Sequence, residues 1–309
     1  MPITHHYLEV QNVRLHYIEA KPEGESSNLK TLVFLHGFPE YWGSWLAQIE
    51  YFRTQYRVIV PDLMGYNLSD KPTDIDLYCV PKLIALYAAF VEKIAADQKV
   101  TLIAHDWGGA IAWPLAAFHP QLFSALVILN AAHPSTFTRE MLHNPEQRQK
   151  SAYIQQLVAD DGIEFVERND YGFLRNMLFE GMQGHQFNSF EQAEYQRAWR
   201  QPGAVQGMLN YYRAMPSLPL AIDEQAPTGH IPDGTAMQKI PNIRINIPTL
   251  VLWGEQDEAF TQALLNGIEE YVPDCQVLRF ANASHWLHHE QAPVVNQEIA
   301  NFIKAKYEV

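Results

Sequence analysis

The chain has 309 residues, 47% hydrophobic and 18% charged, a balance that excludes a disordered or fibrous protein and supplies enough apolar side chain for a large core. Its 22 Lys and Arg against 35 Asp and Glu leave a formal charge of −13, which repels phosphate backbones and anionic lipid, so neither nucleic acid nor a membrane surface is an expected partner. Two cysteines, Cys79 and Cys275, build neither a disulfide framework nor a cysteine-rich metal site.

Residues 1–10 lack the basic and apolar regions of a secretion signal, and no run approaches the roughly 18 apolar residues of a membrane span. A cytoplasmic location is therefore the expectation. Two period-two runs, Tyr7–Val10 and Val13–Ile18, predict an antiparallel hairpin at a sheet edge. Six short apolar runs then follow: Thr31–Leu35, Arg57–Val60, Val100–Ala104, Ala125–Leu129, Thr249–Trp253 and Gln276–Phe280. Continuous apolar strands alternating with helical periodicity imply a mostly parallel sheet covered on both faces.

The rhythm stops between residues 133 and 240. That stretch is rich in Gln, Glu, Arg and Tyr, shows helical patches at Gln192–Arg200 and Val205–Ala214, and ends in a connector, Pro216–Pro241, containing Pro227, Gly229, Pro232 and Gly234. Strand character resumes at Ile247, so the segment reads as a helical cap inserted into an α/β core, over the strand ends where such sheets bind ligands. The expected organisation is a core from 1–132 and 241–309, with a cap and connector at 133–240.

Four local patterns carry chemistry. Ala104-His105-Asp106-Trp107-Gly108 ends a strand with an acid flanked at two residues on either side by small ones, the pattern of a nucleophile elbow with Asp in the nucleophile position. Small neighbours permit the sharp, strained turn, and the helix beginning at Gly108 directs its positive end at the carboxylate. Alone, Asp106 reads equally well as a helix cap. His36-Gly37-Phe38-Pro39-Glu40 follows an earlier strand and suits an oxyanion-hole turn, with backbone donors at Phe38 and Trp107. Asp257 lies just beyond the Thr249–Trp253 strand, with Glu255 as the alternative acid, and His285 follows the last strand. The chain order nucleophile, acid, His makes His285 the expected base and Asp257 its orienting acid. His105 is expected to pack beside the elbow, and His288 and His289 to start a helix or face solvent.

Over essentially its whole length the chain resembles α/β-hydrolases of the epoxide hydrolase and haloalkane dehalogenase branch. The resemblance rests on His36–Glu40, His105–Gly109, Gly65-Tyr66-Asn67-Leu68-Ser69-Asp70-Lys71-Pro72 and Ser284-His285-Trp286, with Met64 and Asn67 departing from the frequent Arg and Gly. It implies an eight-stranded, mostly parallel α/β-hydrolase sheet with an inserted helical cap. An Asp nucleophile suits an sp³ carbon, because the carboxylate is already ionised and its alkyl ester can be hydrolysed by activated water without metal or organic cofactor.

The leaving group separates two alternatives. Tyr153 and Tyr212 resemble the two cap tyrosines with which epoxide hydrolases polarise the ring oxygen, whereas Tyr211, one position away on a helix, would face elsewhere. Haloalkane dehalogenases commonly carry Asn or Glu where this chain has Phe38, and fluoroacetate dehalogenases carry arginine at the positions of Trp107 and Gly109. The resemblance therefore favours a neutral, fairly apolar epoxide opened to a diol, with dehalogenation as the alternative and a non-catalytic ligand-binding homologue as the third. His36, Trp42, Phe137 and Met215 are expected to touch the substrate. The expected partners are a small-molecule substrate and water, with the chain a monomer or homodimer.

Overall fold

The computed structural model describes residues 3–24, 29–95, 98–216 and 239–307. Strands β1 (Thr4–Val10) and β2 (Val13–Ala20) form the expected hairpin. Val10 pairs with Val13, leaving Gln11 and Asn12 as a two-residue turn with φ of 50° and 63°, the left-handed pair that matches strand twist. Six further strands are mutually parallel: β3 (Thr31–Leu35), β4 (Arg57–Pro61), β5 (Val100–His105), β6 (Phe123–Leu129), β7 (Thr249–Gly254) and β8 (Cys275–Phe280). The sheet order is β1-β2-β4-β3-β5-β6-β7-β8.

Alternate residues of the buried strands feed different faces. Val33 and Leu35 join a cluster with α2 (Val80–Ala95) and α3 (Asp106–Phe118), whereas Leu32 and Phe34 join one with α1 (Leu46–Phe52) and α11 (Ala292–Tyr307). Burial on both faces explains why these strands read as unbroken apolar runs. The chain runs from β3 outward to β4, then returns past β3 to β5, so a topological switch lies between the carboxyl ends of β3 and β5. A crevice opens at such a point.

Between β6 and β7 lie six α-helices among the described residues: α4 (Pro134–His143), α5 (Pro145–Lys150), α6 (Tyr153–Val158), α7 (Gly162–Arg175), α8 (Ser189–Trp199) and α9 (Ala204–Arg213). The two helical patches read from sequence fall in α8 and α9. The shorter α5 and α6 have too few turns to show an apolar stripe, and α5 relies on its Asn144 cap. The Pro- and Gly-rich connector around Pro227, Gly229, Pro232 and Gly234 lies outside the described residues. Helices α8 and α9 meet the β3 and β4 ends directly: Trp199 Nε1 donates to Pro39 O at 2.6 Å and Tyr211 Oη to Met64 O at 2.8 Å. Gly65, at φ 92°, and Gly207 bring two backbones together where a Cβ on Gly207 would strike the Gly65 main chain. Among the described residues no helix is long and apolar enough to cross a membrane.

Candidate active site

Asp106 sits at the β5–α3 junction with φ 49°, a strained conformation for a residue with a side chain. Crowding makes its neighbours small. A Cβ on Gly37 would collide with the Asp106 carboxylate, one on Gly108 with the Leu35 carbonyl, and one on Gly109 with Ala131. Across the switch-point crevice, the turn after β3 delivers Phe38 N–H to Asp106 Oδ1 at 2.6 Å. Trp107 N–H belongs to the first turn of α3, where backbone donors have no intrahelical acceptor.

Asp106 Oδ2 faces His285 Nε2 at 3.6 Å, and the opposite nitrogen, Nδ1, meets Asp257 Oδ2 at 2.8 Å. Asp257 is fully desolvated but well provided for. Its Oδ1 accepts from Ala259 N at 2.6 Å and Phe260 N at 2.9 Å, and Oδ2 also accepts from Asn130 Nδ2 at 2.6 Å. Burial alone would raise the Asp257 pKa, but His285 and these donors lower it below the usual carboxylate value. An ionised Asp257 fixes the His285 tautomer with the proton on Nδ1. Burial alone would lower the His285 pKa; the two carboxylates outweigh that and raise it to about 10. Glu255, the alternative acid, instead reaches Arg279 at 3.5 Å on the half-exposed sheet edge.

The inserted segment completes the chamber. Tyr153, at the start of α6, and Tyr212, on α9, line the space above Asp106 with ring centroids 6.3 Å apart. Tyr212 packs edge-to-face on Phe38 at 5.3 Å and on Trp107 at 5.2 Å. Burial, then the Asp106 charge, raise the Tyr153 pKa, while burial, then Tyr153 and Asp106, raise that of Tyr212. Both phenols therefore remain protonated across the neutral range. Tyr211 faces away, its hydroxyl committed to Met64 O.

Two cavities meet at Asp106, Tyr153, Tyr212 and Ala259. The first, about 440 Å³, is walled by apolar groups including Trp107, Phe137, Met215, Phe260 and Ile243. The second, about 380 Å³, holds Phe38, His285, Phe173, Asn176 and Ser284. Each has the size of a small-molecule site.

Two of the expected substrate contacts lie elsewhere. His36 is fully buried beneath the turn: Nε2 accepts from Leu63 N at 3.0 Å, which leaves Nδ1 to donate to Gly37 O at 3.0 Å. It shapes the turn and lines neither cavity. Trp42 packs at the other side of the sheet end against His5 and Tyr41, because its backbone N–H is held by Asp62 Oδ1 at 2.9 Å. His288, expected at a helix start or surface, does begin the short α10 (Leu287–Glu290) but is fully buried, pressed between Trp45 and His105. His105 does pack beside the elbow, its ring centroid 4.6 Å from that of His285.

The α/β-hydrolase fold family model matches residues 30–292. The chain belongs to the α/β-hydrolase family. A protein of Bacillus subtilis (strain 168), named AB hydrolase superfamily protein YfhM, is 35% identical over 275 residues, covering 88% of this chain and 90% of that one. Epoxide hydrolase 2 of Caenorhabditis elegans is 31% identical over 306 residues, covering 97% of this chain and 80% of its own. The crystal structure of Bacillus megaterium epoxide hydrolase in complex with an inhibitor superposes with a TM-score of 0.84 at 32% identity, covering 97% of this chain and all of that one.

Two residues of this α/β-hydrolase escaped sequence reasoning. Asn130, at φ 34° just after β6, ties Asp257 to Gly254 through both ends of its amide. Asn tolerates left-handed backbone, and an Asn closing a buried strand was the available signal. Glu40, in the His36–Glu40 turn, is buried among three imidazoles. A charged residue directly after a cramped apolar turn pointed to a partner, but not to which one.

Proposed function

We propose that this α/β-hydrolase is an epoxide hydrolase acting through a covalent ester on Asp106, with residues 133–240 serving as a cap. The observation that carries the reading is the pair of protonated phenols, half-buried Tyr153 and buried Tyr212, facing a carboxylate nucleophile across an apolar chamber. Halide leaves as a stable anion and needs no proton. An opening epoxide develops an alkoxide, for which a phenol is a matched donor.

Oδ2 of Asp106 attacks a ring carbon while Oδ1 stays on Phe38 N–H. The carbon–oxygen bond breaks, and the departing oxygen takes a proton from Tyr153 or Tyr212. The product of this step is a hydroxyalkyl ester of Asp106. Water then enters the space between His285 Nε2 and the ester, loses a proton to the neutral imidazole and attacks the ester carbonyl. Phe38 and Trp107 N–H groups stabilise the tetrahedral oxyanion. His285 returns its proton to the leaving alkoxide oxygen, releasing the diol, and Asp257 stabilises the transient imidazolium; the proton left on the Asp106 carboxyl passes to the tyrosinate, restoring both groups. The apolar wall with Phe137 and Met215 suits a neutral, fairly apolar substituent. No step uses a metal or organic cofactor.

Incubation with a panel of epoxides and haloalkanes, assaying diol and free halide separately, tests the assignment. Diol formation is expected. Halide release without diol overturns it in favour of dehalogenation, and saturable binding with neither product favours a ligand-binding homologue.

A further inference from the structure

One polar cluster is not used by the reaction above. It lies at the seam where α10 of the core meets the loop before α8 and α8 itself. Glu40, only 2% exposed, has His289 Nε2 at 2.8 Å and Tyr195 Oη at 3.1 Å from Oε1. His105 Nδ1 lies 3.2 Å and His288 Nε2 3.4 Å from Oε2. His288 has no solvent exposure, yet among the described residues neither of its ring nitrogens makes a well-formed hydrogen bond, Nε2 having only the Glu40 contact at 3.4 Å. A buried imidazole without a well-formed hydrogen bond is costly unless something else engages it.

The ligand atoms of Glu40, His288 and His289 fall within 4.8 Å of one another. Tetrahedral zinc, with bonds of about 2.0–2.1 Å to nitrogen and oxygen, spaces its ligand atoms roughly 3.4 Å apart. The present Glu40–His289 and Glu40–His288 separations, 2.8 and 3.4 Å, need only small side-chain shifts to match. We propose that Glu40, His288 and His289 form a binding site for one divalent transition-metal ion of the zinc class.

The surroundings supply what such a site needs. Two imidazoles and a carboxylate select zinc, nickel or copper over magnesium or calcium. Around the ligands, Tyr195 Oη donates to Oε1, and His105, which donates from Nε2 to the His285 carbonyl at 2.9 Å, packs with Nδ1 3.2 Å from Oε2. Such outer partners orient first ligands. His289, 9% exposed, gives the route in. Above it stands His185, ring centroids 5.6 Å apart, and water can take the fourth position. The ion stabilises the join between core and inserted segment and plays no part in the epoxide chemistry.

The test is calorimetric titration of chelator-stripped, full-length protein with Zn²⁺, alongside Co²⁺ titration followed by visible absorption. One ion per chain is expected, with tetrahedral cobalt bands and a melting temperature that rises with Zn²⁺. His289→Ala and His288→Gln are each expected to weaken binding at least a hundredfold, while His5→Gln, on edge strand β1 and outside the ligand set, leaves it unchanged. His289 is the most accessible ligand, so His289→Ala decides the matter even if Glu40→Gln fails to fold. Absence of saturable binding to the unmodified chain overturns the proposal, as does binding that survives His289→Ala or disappears in His5→Gln.

Discussion

The side-chain amide of Asn130 donates to Asp257 Oδ2 at 2.6 Å, onto the same oxygen that accepts from His285 Nδ1 at 2.8 Å. The acid is thus fixed from β6 as well as from its own loop. Asn130→Gly keeps the left-handed backbone and deletes the donor. A hydrogen bond to a charged group contributes about 1.5–3 kcal/mol, so turnover is expected to fall roughly 10- to 150-fold with folding retained. Steady-state kinetics and circular dichroism check both parts; undiminished turnover removes Asn130 from the account.

Gly37 offers a steric test of the oxyanion turn. Its φ is outside the left-handed region, so alanine is conformationally acceptable, but the added methyl would run into the Asp106 carboxylate. Displacing a reacting group by about 1 Å can cost on the order of 100-fold. Gly37→Ala should therefore lose at least about 100-fold in kcat/KM with its circular dichroism spectrum intact. Wild-type kinetics would mean Asp106 is not held where the mechanism needs it.

The two phenols should be partly redundant. General acid catalysis contributes roughly 10²–10⁴-fold. Either Tyr153→Phe or Tyr212→Phe is expected to slow ring opening by the lower part of that range, and the double variant by the upper part. Pre-steady-state fluorescence quenching of Trp107, which packs on Tyr212, reads the ring-opening step directly. Equal rates for the double variant and the parent would remove the phenols from the chemistry.

The pH dependence follows from charge. In the free enzyme His285 is raised to about 10 by Asp257 and Asp106. Esterification removes the Asp106 charge and its hydrogen bond, so the His285 pKa must fall in the intermediate. Ester hydrolysis should rise with pH and level off well below pH 10; a limb that begins only near 10 contradicts this. Stability carries the opposite sign. The raised folded-state pKa contributes stability fully present below the ordinary histidine value of 6.5 and lost as pH rises through about 10. His285→Gln should flatten that decline in chemical denaturation series.

The sheet was legible because both faces of β3, β5, β6 and β7 are buried, which writes them as apolar runs in the sequence. Asp106 and Asp257 were legible for a related reason, each standing just beyond such a strand, whereas His285 follows the half-exposed edge strand β8 and was legible from its chain order. Phe137 and Met215 line the chamber as expected, but His36 and Trp42 do not. Proximity to Gly37 in the chain placed them near the turn, whereas their direction is set by contacts distant in sequence, with Leu63 and Asp62. The burial of His288 was hidden for the same cause, since its neighbours come from two stretches distant from it in sequence, Glu40 with Trp45 and His105. Small helices such as α6 hold too few residues for periodicity to show.

The covalent ester is the central claim, and a single turnover in H₂¹⁸O with enzyme in excess over epoxide tests it most directly. If Asp106 attacks the ring and water attacks the ester carbonyl, the new diol oxygen comes from the protein. The first-turnover diol is then unlabelled, and ¹⁸O appears in the peptide containing Asp106. Label in the diol with none in that peptide would mean that water opens the ring directly, and the account of Asp106 as nucleophile would be wrong.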